Sequence, residues 1–315
     1  MSEPGVSATQ EGVANRGSTA NGGRCLESFL ARYASRCKES ATEMNPRALQ
    51  AAVAMQEALE KTKGDVSDVG AKARGATYTL SAVPLGVSGS QALFPAIACM
   101  PLVRLGLADC YLGDAGTRIL AEALSTSSRC GSVMRVICLS GVGITDASSL
   151  ACFVTATQQL QLLDVSRNRI GTQPHTLAVL CAAMRHHKSL QEVNLSDNLI
   201  TGSCAVSVQA IAEWVVCAGH DDVLHRIDLR FNALGMLREA GSVAAPALMK
   251  GTRLIYAAHP LVDAVLLNNT VESLELYANA LSADVLDVVE AKLAVNRRTK
   301  EILRKLFAQE ASGSV

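Results

Sequence analysis

Aromatic side chains are scarce, 3% of 315 residues with a single tryptophan at Trp214. A chain so poor in rings has little with which to build base-stacking platforms or aromatic cages, and its core has to come from Leu, Val, Ile and Ala. Excess charge of one sign is also missing. Lys plus Arg number 29 and Asp plus Glu number 29, so no whole-chain field steers the protein toward nucleic acid or anionic lipid, and a partner has to be met by a local surface. Apolar runs are short. The most apolar stretch, residues 205–219, is interrupted by Gln209 and Glu213 and cannot cross a bilayer, so no membrane partner is expected. Met1-Ser2-Glu3-Pro4 lacks the basic and apolar regions of a secretory signal, and Glu3 and Glu11 argue against a mitochondrial presequence, which makes the cytoplasm the expected location. The ten cysteines include no C-x-x-C pair, which speaks against a zinc knuckle or a disulfide framework and predicts reduced, mostly buried thiols.

Residues that carry chemistry are equally thin on the ground. His186-His187, and His220-Asp221-Asp222 with His225, have ligand-capable groups but no i, i+4 spacing with a third partner. Gly141-Val142-Gly143 and the glycines between Leu85 and Ser90 lack the G-x-x-x-x-G-K-S/T order that wraps phosphate. No catalytic, metal or cofactor residue is expected, and no nucleic-acid or small-molecule substrate.

What the sequence does hold is a repeat. Apolar residues at positions 1, 4, 6 and 11, with Asn or Cys at 9, recur in six units that begin at Leu102, Met134, Leu160, Leu190, Leu224 and Val271. The ninth residues are Cys110, Val142, Asn168, Asn198, Asn232 and Asn279, so only the second unit lacks a polar one, and its turn should be the loosest. A degenerate seventh unit is expected at Leu80-Val83-Leu85. Positions 4 and 6 point to one side of a short strand and 3, 5 and 7 to the other, so each unit buries one face. An Asn at position 9 can satisfy backbone groups of the turn and stack into a ladder. Each gap holds a helix-length apolar pattern, as at residues 115–124 and 177–184.

Around the repeat, composition divides the chain. Residues 1–24 are too polar and small to offset their ordering entropy and should order only on a partner. Residues 25–75 read as a helical cap and linker, two helices split at Asn45-Pro46 followed by a polar stretch at 64–75. The solenoid is assigned to 76–293 and a basic helix and tail to 294–315, and residues 282–307 read as one long helix or two in sequence, with Arg297, Arg298, Lys300, Arg304 and Lys305 toward the end of that stretch. The 235–270 interval is some fifteen residues longer than its neighbours, with breakers that predict an extruded loop before a helix near 261–267.

Segments such as Leu160-Gln-Leu-Leu-Asp-Val-Ser-Arg-Asn-Arg-Ile170 and Val271-Glu-Ser-Leu-Glu-Leu-Tyr-Ala-Asn-Ala-Leu281 resemble the ribonuclease-inhibitor-like branch of the leucine-rich-repeat family. The resemblance covers about residues 80–293 and implies an α/β horseshoe, parallel sheet inside and helices outside, that works chiefly by binding proteins and is not an enzyme. With the preamble Phe29-Leu-Ala-Arg-Tyr-Ala-Ser-Arg-Cys37, the repeats are also similar to leucine-rich-repeat subunits of axonemal assemblies such as the nexin-dynein regulatory complex. That likeness implies a scaffold in the cytoskeleton of a cilium or flagellum, docked on a tubulin-based or coiled-coil assembly. The family also contains enzyme regulators. Ran GTPase activators end in a strongly acidic tail, whereas residues 292–305 here are basic; nuclease inhibitors call for an acidic concave face, whereas Arg226 and Arg230 here accompany Asp228.

The exposed strand positions then name a candidate partner surface. The early units offer Gly106, Ala108, Cys138 and Ser140, a bland face. The later ones offer Asp164, Arg167, Glu192, Arg226, Asp228, Arg230, Phe231, Glu275 and Tyr277, with the Arg and Tyr enrichment of interface anchors. Arg297 and Arg298 form a second, basic candidate.

Overall fold

A computed structural model describes residues 21–63, 76–127, 133–221, 223–235 and 259–312. Seven strands, β1 (Ala76–Ser81), β2 (Leu102–Ala108), β3 (Val136–Cys138), β4 (Leu162–Asp164), β5 (Glu192–Asn194), β6 (Arg226–Asp228) and β7 (Ser273–Glu275), form one parallel sheet in chain order. A helix stands between each adjacent pair for which the connection is described: α3 (Gly86–Ile97), α4 (Gly113–Ser125), α5 (Ser148–Ala156), α6 (Pro174–Arg185), α7 (Ala205–Asp221) and, before β7, α8 (Pro260–Leu267). The chain is therefore a leucine-rich-repeat solenoid, and each of these helices packs on the next.

The core follows the template. Positions 4 and 6 of the six units, from Leu105 and Leu107 through Leu274 and Leu276, are all buried, as are all six residues at position 1. At about 1.5–3 kcal/mol per fully buried aliphatic side chain, each unit is stabilised by area that only its neighbours can cover. The seventh unit exists, but it begins five residues earlier than the sequence suggests. Tyr78 pairs with Leu105 and Leu80 with Leu107, so Leu80 occupies position 6, Val83 position 9 and Leu85 position 11. The aromatic Tyr78 at position 4 hides the pattern from a search for aliphatic residues.

Every turn that leaves the sheet bends at position 8 through the left-handed region: Ala82, Asp109, Gly141, Arg167, Asp197, Phe231 and Ala278 have φ between +52° and +67°. Six of the seven are not glycine, at a cost of about 1 kcal/mol or more each. The bend turns position 9 inward, where the ladder offsets that cost. Asn168 accepts from the Gly143 and Ile144 amides and donates to the Leu139, Val165 and Ser166 carbonyls. Asn232 does the same for the amides of Asn198 and Ile200 and the carbonyls of Leu195, Leu229 and Arg230. Asn198 and Asn279 follow with fewer bonds, and the Cys110 thiol donates to Leu80 and Ala108. Each rung reaches back to the preceding unit. In the second unit Val142 has only its backbone carbonyl to offer, which accepts from Gly113, but Asn168 serves that turn's amides from the following unit.

The ends are closed by helices. At the start, α1 (Asn21–Glu39) packs on α3 and α2 (Pro46–Lys63) on β1. Phe29, Tyr33 and Tyr78 form a buried ring cluster with centroids 5.6 and 6.5 Å apart, and the Tyr78 hydroxyl donates to the Ala48 carbonyl. The break at Asn45-Pro46 falls where the sequence places it, while α1 begins at Asn21, inside the segment expected to be a tail. Helix extension from a formed nucleus is cheap enough to recruit those residues. At the far end α9 (Ala283–Ser312) buries Val289 and Leu293, and Asn296 donates to the Asn268 and Val271 carbonyls. One continuous helix thus crosses the 293/294 boundary. The loop expected after Leu234 lies mostly at 236–258, outside the described residues, as do residues 1–20.

Candidate protein-binding face

The side chains at positions 3, 5 and 7 form the sheet face opposite the core, but the structure divides them by task. Position 5 is a strand cap. Asp164, Asn194 and Asp228 each accept, through Oδ1, the amide two residues on, that of Ser166, Ser196 and Arg230. Asp228 goes further: it is buried, and Arg230 Nε and Nη2 close on its two oxygens at 2.6–3.1 Å. The expectation that Asp228 is an exposed contact is corrected. Its carboxylate is consumed by its own chain, because Arg230, two residues on, lies on the same face.

Arg167 is also partly engaged. It reaches across the second unit to Asp109 at 3.1 Å and donates to the Ser140 hydroxyl, which lies 2.8 Å from that of Ser166. The bridge passes over Gly141, where a Cβ would come within 2.2 Å of the Asp109 carboxylate. Sequence reasoning missed Asp109 and Gly141 because the contact joins turns 58 residues apart. Glu192 and Arg226 are paired in register at position 3 of β5 and β6, with His225 Nε2 3.8 Å from Glu192. Glu275, half-buried on the last strand, accepts from the Ser273 hydroxyl.

The aromatic pair stands apart. Phe231 and Tyr277 meet edge to face, centroids 5.8 Å apart, and they are 53% and 70% exposed. Leu199, one unit earlier, is exposed as well, and was not singled out because position 10 carries no fixed residue type. These three apolar side chains lie in the last three units, where the turns leave the strands; Asp197, at the turn of the fourth unit, and Arg226, at the start of β6, are exposed too.

The basic candidate is pinned in part. Arg297 donates to the Glu272 carbonyl and pairs with Glu290, while Lys300 and Arg304 reach the Glu272 carboxylate at 3.0 and 3.6 Å. Arg298 is exposed. Elsewhere, of the eight described thiols Cys37, Cys110 and Cys181 are buried, four are half-buried and Cys152 is exposed, so burial is less general than expected. Burial pushes the Cys181 thiol up to about 12. Among the described residues no three His, Cys, Asp or Glu side chains converge on a metal-sized site, and no helix is long and apolar enough to cross a membrane.

No family model matches the chain. It is 33% identical over 112 residues to the ribonuclease inhibitor of Sus scrofa, and 25% identical over 148 residues to NACHT, LRR and PYD domains-containing protein 5 of Mus musculus. Those matches cover 35% and 46% of this chain. Among solved structures it is similar to leiomodin-1 actin-binding site 2 (TM-score 0.42, 14% identity, 62% of this chain and 96% of that one). A tropomodulin C-terminal domain of Caenorhabditis elegans follows (TM-score 0.35, 12% identity, 79% and 97%). The two curated relatives are proteins with leucine-rich repeats, and the stretches matched span only 24% and 12% of their lengths.

Proposed function

We propose that this protein is a noncatalytic docking scaffold whose partner, another protein, seats on the C-terminal half of the concave face. The observation that carries this is the exposed Phe231–Tyr277 pair, two of very few aromatics in the chain, held open at the mouth of the sheet. Rigid amphipathic rings rimmed by charge are what interface anchors are made of. Arg226, Glu192, Glu275 and the outer edge of Arg230 complete the rim, with Arg167 and Asp164 at its margin. Within that reading we place the chain as a structural subunit of a large cytoskeletal assembly such as the ciliary or flagellar axoneme, in the cytoplasm. The likeness of its repeats and helical preamble to axonemal leucine-rich-repeat subunits supports this.

The test is affinity capture of the full chain and of Tyr277→Ala from ciliated cells. Axonemal proteins recovered with the parent and lost with the variant are expected; equal recovery with both removes the concave face as the interface. The stretch similar to ribonuclease inhibitor favours a second reading, that the horseshoe regulates an enzyme. Inhibition of a pancreatic-type ribonuclease, or stimulation of a Ran-type GTPase, by the purified chain would establish it.

A further inference from the structure

The sheet is closed at its first strand and open at its last. β1 has α2 packed on it, whereas β7 has β6 on one side and, among the described residues, no strand on the other. Earlier units show what a following strand supplies. The amide at position 6 donates to the position 5 carbonyl of the next unit, as from Leu195 to Asp228 and from Leu229 to Glu275. The amide at position 8 donates to the next position 7 carbonyl, as from Asp197 to Arg230 and from Phe231 to Tyr277. The amide at position 11 donates to the next unit's Asn side chain, as from Ile200 to Asn232 and from Leu234 to Asn279. In the last unit the same three amides, those of Leu276, Ala278 and Leu281, have no acceptor among the described residues.

Helix α9 stands in for a further unit only at the start of the strand. The position 2 carbonyl of His225 accepts the amides of Glu272 and Ser273 from the next unit, while the Glu272 carbonyl accepts from Arg297 at 2.8 Å instead. Beyond that point the edge is uncovered. Tyr277, Ala278 and Ala280 are exposed, and Leu274 and Leu276 are 7% and 5% exposed where positions 4 and 6 of the other five units lie at 0–2%. The edge is also rich in donors and poor in acceptors. The carbonyls of Glu275, Tyr277 and Asn279 are taken by the amides of Leu229, Phe231 and Gly235, and that of Leu276 by the Asn279 side chain. This selects the occupant. A second copy would bring the same row of amides, donor against donor. An extended backbone brings carbonyls at alternate residues, and an Asn or Asp that follows it supplies the acceptor for Leu281.

We infer that the outer edge of β7 is a strand-addition site for an extended segment of a partner protein, running parallel to β7 with the pattern aliphatic-x-aliphatic-x-x-Asn or Asp. The site is built from backbone groups and so is separate from the exposed side chains of the concave face. The two aliphatic residues of the segment cover Leu274 and Leu276, and its acceptors meet the amides of Leu276, Ala278 and Leu281. The probe is a fluorescently labelled peptide of residues 192–201 of this chain, in which Val193, Leu195 and Asn198 hold the pattern. Added to the full chain, it should bind saturably by anisotropy and slow hydrogen exchange at residues 276–282. Leu195→Asp in the peptide should weaken binding at least about tenfold and Asn198→Ala at least about threefold, and neither change touches the folding of the chain. A nitroxide on the first residue of the peptide should broaden the amide signals of residues 273–275 more than those of 281 and 282. Four results overturn the inference: no saturable binding, or binding indifferent to both peptide substitutions; protection that falls outside residues 273–282; broadening strongest at 281 and 282, which means an antiparallel segment; or a dimer of the chain alone in sedimentation equilibrium that protects the Leu276 and Ala278 amides, which gives the edge to a second copy.

Discussion

At the scale of single residues, the position 9 asparagines are where sequence and structure agree most closely. A polar residue in a row of buried aliphatic ones has to be satisfied, and the turn's own amides and carbonyls are the nearest partners. The number of bonds orders the consequences. Asn198→Ala, which removes three side-chain bonds from a fully buried site, should cost about 1–3 kcal/mol in denaturant unfolding, and Asn232→Ala, which removes five, should cost more. Asp114 supplies a pH signature. Burial alone would raise its carboxyl, but bonds from the Thr145 hydroxyl and from the Thr145 and Asp146 amides outweigh that and hold it below the usual range. A carboxyl lowered in the folded state stabilises above its ordinary pKa of about 4 and loses that contribution as pH falls through the folded value. Thermal melts of the parent and Asp114→Asn should therefore differ at pH 7 and converge on acidification below pH 4. Asp164 and Asp228 mark the limit of such reading. Alternation assigns them to the exposed face, but only coordinates reveal that the backbone amide two residues on turns them into strand caps.

At the scale of elements, two turns approach their neighbours too closely for a side chain at position 12, those of the third and fifth units. A Cβ on Gly171 would lie 2.4 Å from the Leu199 carbonyl oxygen, and one on Gly235 2.1 Å from that of Ala280, both backbone atoms that cannot swing aside. Gly171→Ala should force adjacent turns apart and cost at least ~1–3 kcal/mol of stability. Gly89→Ala, inside α3 with its nearest neighbour at an ordinary 3.5 Å, should be neutral or stabilise by up to ~1 kcal/mol. Comparing the two chemical-denaturation midpoints checks whether close backbone approach, rather than glycine content, is what the fold requires. The helices between the strands were legible because their apolar residues recur every three or four positions. The reach of α9 was legible as one of two readings of residues 282–307, one long helix or two, and only contact with the final repeat marks where capping ends.

For the whole molecule, the solenoid makes stability a nearest-neighbour property, so a charge placed at one buried rung should act locally. Leu195→Asp should melt the middle units and be visible as lost amide protection around β4 to β6, while the aromatic cluster that caps β1 keeps its protection longer. The binding face is divided in the same way. Tyr277→Ala should reduce partner affinity by at least ~2 kcal/mol without altering the fold, and Ser140→Ala should do little. Arg230→Ala is a different kind of variant: it strips the buried Asp228 carboxylate of its counter-charge and should cost about 1–3 kcal/mol of stability before it reports on any partner.

What the amino-acid order determined by itself is the repeating part of this protein. Strand, turn and helix recur because each unit carries the same aliphatic positions and the same inward polar residue, and a one-dimensional pattern suffices when every contact is with the adjacent copy. The first unit slipped out of that pattern because Tyr78 replaced an aliphatic residue. Only the tertiary structure decided which charges remain available. Asp228 with Arg230 and Glu272 with Lys300 are held within the chain, Asp109 and Arg167 engage each other only in part, and Phe231 with Tyr277 is left open. Strand alternation puts Asp228 and Arg230 on one face, whereas the other contacts depend on left-handed bends, a glycine gap and the path of a long helix, which bring together side chains from different units.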